Sequence, residues 1–123
     1  MKERDKKKLK VLILEDVESD AELVKLQFEQ LDFQCSFVVT YKENEYMDLL
    51  KSFNPDMVTS DFTMPTFDGL KALKILRTKD PITPFIFVTG SLGEENAVKA
   101  IKTGATDFIN KNRIEQLTPA ALR

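Results

Sequence analysis

The 123-residue chain has no histidine and only one cysteine. Without histidine there is no Ser-His or Cys-His nucleophile pair, no imidazole metal ligand and no phosphohistidine intermediate within the chain. The lone Cys35 excludes an internal disulfide and a cysteine-only metal cage, and its place in the apolar run Phe33 to Val39 reads as that of a structural thiol on a strand. No apolar stretch approaches the roughly 20 residues of a membrane span. The charged N-terminus also lacks the apolar segment of a signal peptide, so a cytoplasmic location without a membrane partner is expected. There is no Gly-x-x-x-x-Gly-Lys-Ser/Thr loop and no Gly-x-Gly-x-x-Gly after the first apolar run, which leaves nucleotide phosphates without a backbone cradle. Any chemistry falls to carboxylates, hydroxyls and lysines.

The length is that of about one domain. Charge is spread unevenly: residues 1–10 hold six Lys/Arg against two Asp/Glu, which leaves −6 on the remainder of a chain whose total is −2. Residues 1–8 read as a basic N-terminal tail and 9–123 as the folded domain. The tail lacks interleaved aromatics and sits at a terminus, where solvated segments are common, so direct nucleic-acid binding is not expected.

Short apolar runs alternate with helical patterns along the chain. Val11-Leu12-Ile13-Leu14 is too short for a buried helix and reads as a first strand. Ser19 and Glu22 have capping-box spacing, and Ala21, Val24, Phe28 and Leu31 recur at helical intervals, which predicts a helix over about 19–31. Residues 33–39 form a second strand, and Tyr46, Leu49, Leu50 and Phe53 give a helical stripe that ends before Asn54-Pro55. Met57 to Ser60 is a third strand ending in Asp61, with Met64-Pro65 and Asp68-Gly69 punctuating the loop before a helix that carries Leu70, Leu73 and Leu76. Phe85 to Val88 is a fourth strand with Thr89 at its carboxyl end. Ser91 and Glu94 again have capping-box spacing, and the helix they open sets Ala97, Ala100 and Ile101 on one face before Gly104. Thr106 to Ile109 is a short fifth strand leading to Lys111, and Thr118-Pro119 resembles an N-cap with proline at N1 of a short last helix. Five strand-helix units imply an α/β fold, a doubly wound parallel sheet with helices on both faces.

Ligands of such sheets bind beyond the carboxyl ends of the strands, where Glu15, Asp16, Asp61, Thr89 and Lys111 stand. Carboxylates brought together there repel one another unless a cation sits among them, and an all-oxygen set suits Mg²⁺ or Mn²⁺. Magnesium typically keeps positions open to phosphate oxygens. Lys111 offers a compact positive charge to Asp61 or to a phosphoryl oxygen, and Thr89 offers a hydroxyl donor. With no cradle for a nucleotide, the phosphoryl group must come to Asp61 itself, as to a nucleophile. Each residue has a plainer reading too: Glu15-Asp16 as helix-start polarity, Asp61 as the opening of a turn, Thr89 as a polar strand end, Phe108 as core packing.

Glu15-Asp16, Asp61-Phe-Thr-Met-Pro65, Asp68-Gly69, Thr89-Gly90 and Phe108-Ile-Asn-Lys111 resemble, in order and approximate spacing, the receiver domain of bacterial response regulators. The resemblance spans residues 15–111 and implies a flavodoxin-like five-stranded sheet of order 2-1-3-4-5, here with a short or truncated last helix. It implies that Asp61 is the phosphoacceptor, that Asp16, Asp61 and the Thr63 backbone carbonyl bind the metal, and that Glu15 reaches it mainly through water. By the same resemblance Thr89 and Phe108 are the switch hydroxyl and switch aromatic, and Lys111 is the phosphate-binding lysine. The expected role is that of a signalling phosphoacceptor in a two-component or phosphorelay system, carrying a 4-aspartylphosphate. Such a module partly catalyses its own phosphorylation and dephosphorylation and is not an enzyme in the ordinary sense. The expected donor is a histidine kinase or a histidine phosphotransfer protein, with sensor or kinase modules possible in a longer chain and homodimerisation through the face of the fourth helix, fifth strand and last helix. Asn112 departs from the family, which usually has proline after the lysine and a cis peptide there. The rival from another class is a receiver-like interaction module that is never phosphorylated. A carboxylate-nucleophile phosphatase is disfavoured, because it would need a second Asp at position 63, which is Thr.

Overall fold

The computed structural model describes residues 7–90 and 93–122. Its strands and helices alternate: β1 (Lys7–Leu14), α1 (Glu18–Glu29), β2 (Phe33–Thr40), α2 (Glu43–Ser52), β3 (Met57–Ser60), α3 (Gly69–Lys79), β4 (Phe85–Thr89), α4 (Glu94–Thr103), β5 (Asp107–Asn110), then a 3₁₀ segment (Lys111–Gln116) that runs into α5 (Leu117–Ala121). All strand pairs are parallel, in the order β2-β1-β3-β4-β5 expected for the flavodoxin-like class.

The apolar runs are continuous rather than alternating because β1, β3 and β4 are covered on both faces. Within β1, Val11 and Ile13 face α1 and α5 and pack with Ala21, Val24, Phe28, Leu117 and Ala120. Leu12 and Leu14 face the other way, toward Tyr46 of α2, Leu73 and Leu76 of α3 and Ala100 of α4. Fully burying one such aromatic or aliphatic side chain contributes about 1.5–3 kcal/mol. The hydroxyl carried into the second core by Tyr46 is satisfied, since it donates to the Ala72 carbonyl at 2.8 Å and thereby ties α2 to α3.

Several local expectations are corrected. β1 begins at Lys7, because Lys7 and Lys8 pair with Phe33 and Gln34, so the end of the expected basic tail is strand; residues 1–6 lie outside the described residues. The N-cap of α1 is Val17, without a side-chain cap, and Ser19 lies inside the helix; Glu22 binds Lys25 at 3.1 Å rather than closing a capping box. Ser91 lies outside the described residues, and Gly93 is the N-cap of α4. Ala97 and Ala100 of α4 are buried, but Ile101 is exposed. Thr118 and Pro119 fall within the first turn of α5, where Pro is tolerated because the early N–H groups have no helical acceptor. No peptide bond among the described residues is cis, including that between Lys111 and Asn112. The apolar face of α3 and the short last helix agree with expectation.

Candidate functional site

The parallel register makes β1 and β3 end level, with Leu14 opposite Ser60. One residue further, the Asp61 N–H donates to the Leu14 carbonyl at 2.9 Å, and the Glu15 N–H donates to Thr40 at 3.1 Å. The ladder therefore continues just far enough to hold Glu15 and Asp61 side by side. Asp68 caps α3 by accepting from the Lys71 N–H at 2.8 Å, and Gly69 follows it pressed against the Asp61 carbonyl. This pair serves helix initiation and close approach, not only the turn expected from sequence.

Lys111 arrives from the far edge of the sheet, directly after β5. Its ammonium lies 2.9 Å from Glu15, 2.8 Å from Asp20 and 3.1 Å from Asp61. Burial alone would depress the Lys111 pKa, but hydrogen bonds to Asp20, Glu15 and Asp61 outweigh it and hold the ammonium above its usual range. Burial pushes the Glu15 carboxyl up, and the neighbouring Asp61 adds to this; Lys111 and the Val17 N–H, which donates to it at 3.2 Å, pull the other way. The Asp61 carboxylate is also fixed by its own chain, as the Phe62 N–H donates to Oδ1 at 2.7 Å.

Glu15, Asp16 and Asp61 each present an oxygen within 4.8 Å of the others. Their burial is graded, with Glu15 buried, Asp61 intermediate and Asp16 exposed, so the group opens toward solvent on one side. An oxygen-only donor set with one open side fits a hard divalent ion that retains water. Thr63 lies two residues beyond Asp61, in the loop before α3. Thr89 is buried at the end of β4. Phe108, expected by default in the core, is 37% exposed and lines an apolar surface depression with Ala97, Val98 and Ile101. β5 is the edge strand, with only β4 beside it, and Phe108 lies at the rim of the sheet next to α4.

Asp20 is the residue that sequence reasoning missed. It makes the shortest of the three Lys111 contacts across 91 positions of sequence. The only local signal was its place four residues after Asp16 in a helix that starts at the site.

Against known proteins, the family model for the response regulator receiver domain matches residues 11–122. The chain is 38% identical over 106 residues to the chemotaxis protein CheY of Listeria monocytogenes, covering 84% of this chain and 86% of that protein. It is 40% identical over 65 residues to the regulatory protein AtoC of Escherichia coli, covering 53% of this chain and 14% of that longer protein. The structure superposes on the receiver domain of the Francisella response regulator 1452 with a TM-score of 0.79 at 30% identity, over 93% of each chain. A family match over nearly the whole chain, together with the 2-1-3-4-5 sheet, establishes that this protein belongs to the response regulator receiver domains of two-component signal transduction.

Proposed function

We propose that Asp61 accepts a phosphoryl group from a phosphohistidine of a kinase or phosphotransfer protein and that the domain relays this state to an output. The observation that carries the reading is the Lys111 ammonium 3.1 Å from Asp61 Oδ2, at the strand ends where the Glu15 and Asp16 oxygens also gather. An Asp61 carboxylate oxygen attacks phosphorus while the phosphorus–nitrogen bond breaks, its electron pair leaving with the imidazole. Lys111 then holds a phosphoryl oxygen, and the Thr89 hydroxyl supplies a donor from the end of β4. Reset is the attack of water on phosphorus, with the Asp61 carboxylate as leaving group and inorganic phosphate as product.

Asp16, Asp61 and the Thr63 backbone carbonyl would hold Mg²⁺ or Mn²⁺, and Glu15 would reach it through water. When bound, that ion neutralises charge on the phosphoryl oxygens. Phosphorylation adds about one to two negative charges at Asp61. Thr89 moves toward the phosphoryl group, Phe108 turns inward from its exposed position, and the face of α4, β5 and α5 changes shape for an output partner or a second copy. The same proposal places the domain in the cytoplasm, alone or joined to sensor or kinase modules. Among the described residues no helix is long and apolar enough to cross a membrane.

The test is exposure to acetyl phosphate with Mg²⁺, read by intact mass. The expected result is an adduct on the native protein and none on Asp61→Asn. A second reading, a receiver-like interaction module that is never phosphorylated, draws on the exposed apolar Val98, Ile101 and Phe108. An unmodified native protein that shows no spectral response to beryllofluoride would establish that reading instead.

A further inference from the structure

We infer that Asp20 is a positioning residue for Lys111, resting on the phosphoacceptor reading of Asp61. The Lys111 ammonium donates hydrogen bonds to Asp20 at 2.8 Å and to Asp61 at 3.1 Å and forms an ion pair with Glu15 at 2.9 Å, so its three N–H groups are shared among three carboxylates. Two of these acceptors, Glu15 and Asp61, also belong to the oxygen cluster suited to a divalent ion, and Asp20 does not. Once those two carboxylates are engaged by a cation and a phosphoryl group, Asp20 remains as the anchor that keeps the ammonium at the mouth of the site. Lys111 needs such an anchor. It stands at the start of a 3₁₀ segment, with a four-carbon stem whose rotamer freedom opposes any single placement. Asp20 is well suited to supply it, because it is fixed in the first turn of a 12-residue helix.

A carboxylate that acted only through its field would have the opposite kinetic sign. Removing a negative charge beside the site would ease the approach of an anionic phosphodonor, whereas removing the anchor of Lys111 slows transfer. Asp20→Asn keeps the side-chain shape, Asp20→Glu keeps the charge, and Lys111→Ala removes the group through which Asp20 acts.

The experiment measures the initial rate of Asp61 modification by acetyl phosphate with Mg²⁺ in the full chain, for each variant and for the Asp20→Asn/Lys111→Ala double variant, beside ¹⁵N spectra of the Lys111 ammonium without donor. Asp20→Asn is expected to slow modification roughly tenfold, the scale of losing a supporting hydrogen bond at a site. Asp20→Glu should recover most of that rate, the double variant should be no slower than Lys111→Ala alone, and the Lys111 ammonium signal should broaden in Asp20→Asn. Equal or faster modification in Asp20→Asn overturns the inference and leaves the role of Asp61 standing. Failure of the native protein to be modified at all overturns both.

Discussion

Gly69 lies so close to Asp61 that a β-carbon added to the glycine would stand 2.5 Å from the Asp61 carbonyl oxygen and 2.6 Å from the Phe87 ring. The first of these neighbours is backbone and cannot swing aside. Gly69 opens α3 directly behind Asp61, and its N–H donates to the Phe62 carbonyl at 2.9 Å. The loop that leaves Asp61 is thus closed onto a helix start with room only for hydrogen.

Gly69→Ala is therefore expected to destabilise. Overpacking typically costs about 1–3 kcal/mol, more than the roughly 1 kcal/mol that Ala gains over Gly in a helix. The strain falls on the Asp61 backbone, so the variant should lose modification rate as well as stability. Chemical denaturation and acetyl phosphate labelling test the two separately. An alanine variant as stable and as reactive as the native protein would show that the contact relaxes freely.

Much of this arrangement is legible in the sequence, for physical reasons. Val11 to Leu14 and Phe85 to Val88 are unbroken apolar runs because both faces of their strands are covered, and this same property places Glu15 and Thr89 at carboxyl ends. The meeting of Asp61 with Lys111 follows from parallel order. Asp20 was not legible, since its partner is 91 residues away and the contact depends on α1 starting at Glu18, one residue before the Ser19 start that capping-box spacing suggested. The role of Gly69 was hidden for a related reason: a glycine needed for close approach and one needed for a turn look alike in sequence. Phe108 had two readings from sequence, core packing and switch aromatic, and its 37% exposure on the edge strand sets aside only the first.

Glu15, Asp16 and Asp61 bring three carboxylates together, and among the described residues Lys111 is the cation paired with Glu15 and Asp61, so a divalent cation should stabilise the fold. Ligand at about 100 times its Kd adds about 2.7 kcal/mol. Millimolar Mg²⁺ or Mn²⁺ is expected to raise Tm by several degrees. Asp16→Asn should abolish most of that rise, with little effect on Tm in chelator because Asp16 is exposed. Scanning calorimetry across a Mg²⁺ series decides it, and a shift of equal size in Asp16→Asn would place the ion elsewhere.

Glu15 predicts a pH dependence of an uncommon sign. Its pKa is raised, chiefly by burial, so the fold binds a proton at this carboxyl more tightly than the unfolded chain does. Its contribution to stability is thus fully present below the ordinary carboxylate pKa and is lost as pH rises through the folded value. Glu15→Gln should then gain stability relative to the native protein as pH rises from about 4 toward neutrality, while binding Mg²⁺ more weakly. Urea titrations of both proteins across that range supply the measurement. A stability difference that does not move with pH would show that Glu15 carries no such penalty.

Thr59 of β3 is 1% exposed, and its hydroxyl oxygen has no hydrogen-bond partner among the described residues. On β3 it alternates with Val58 and shares the face of Met57, so it is set toward the cluster that includes Ile13, Ile86 and Val88. A hydroxyl transferred there from water gives up its solvation without replacement, at about 1–3 kcal/mol. Thr59→Val keeps the branched shape and the strand preference while removing the polar atom. The expected gain is about 1 kcal/mol, or roughly 4 °C in Tm for a domain of this size. Because Thr59 lies two residues before Asp61 with its hydroxyl in the core, the rate of Asp61 modification should be unchanged. A valine variant of lower stability would mean that the hydroxyl is satisfied in solution, by a buried water or by rotation toward its own strand.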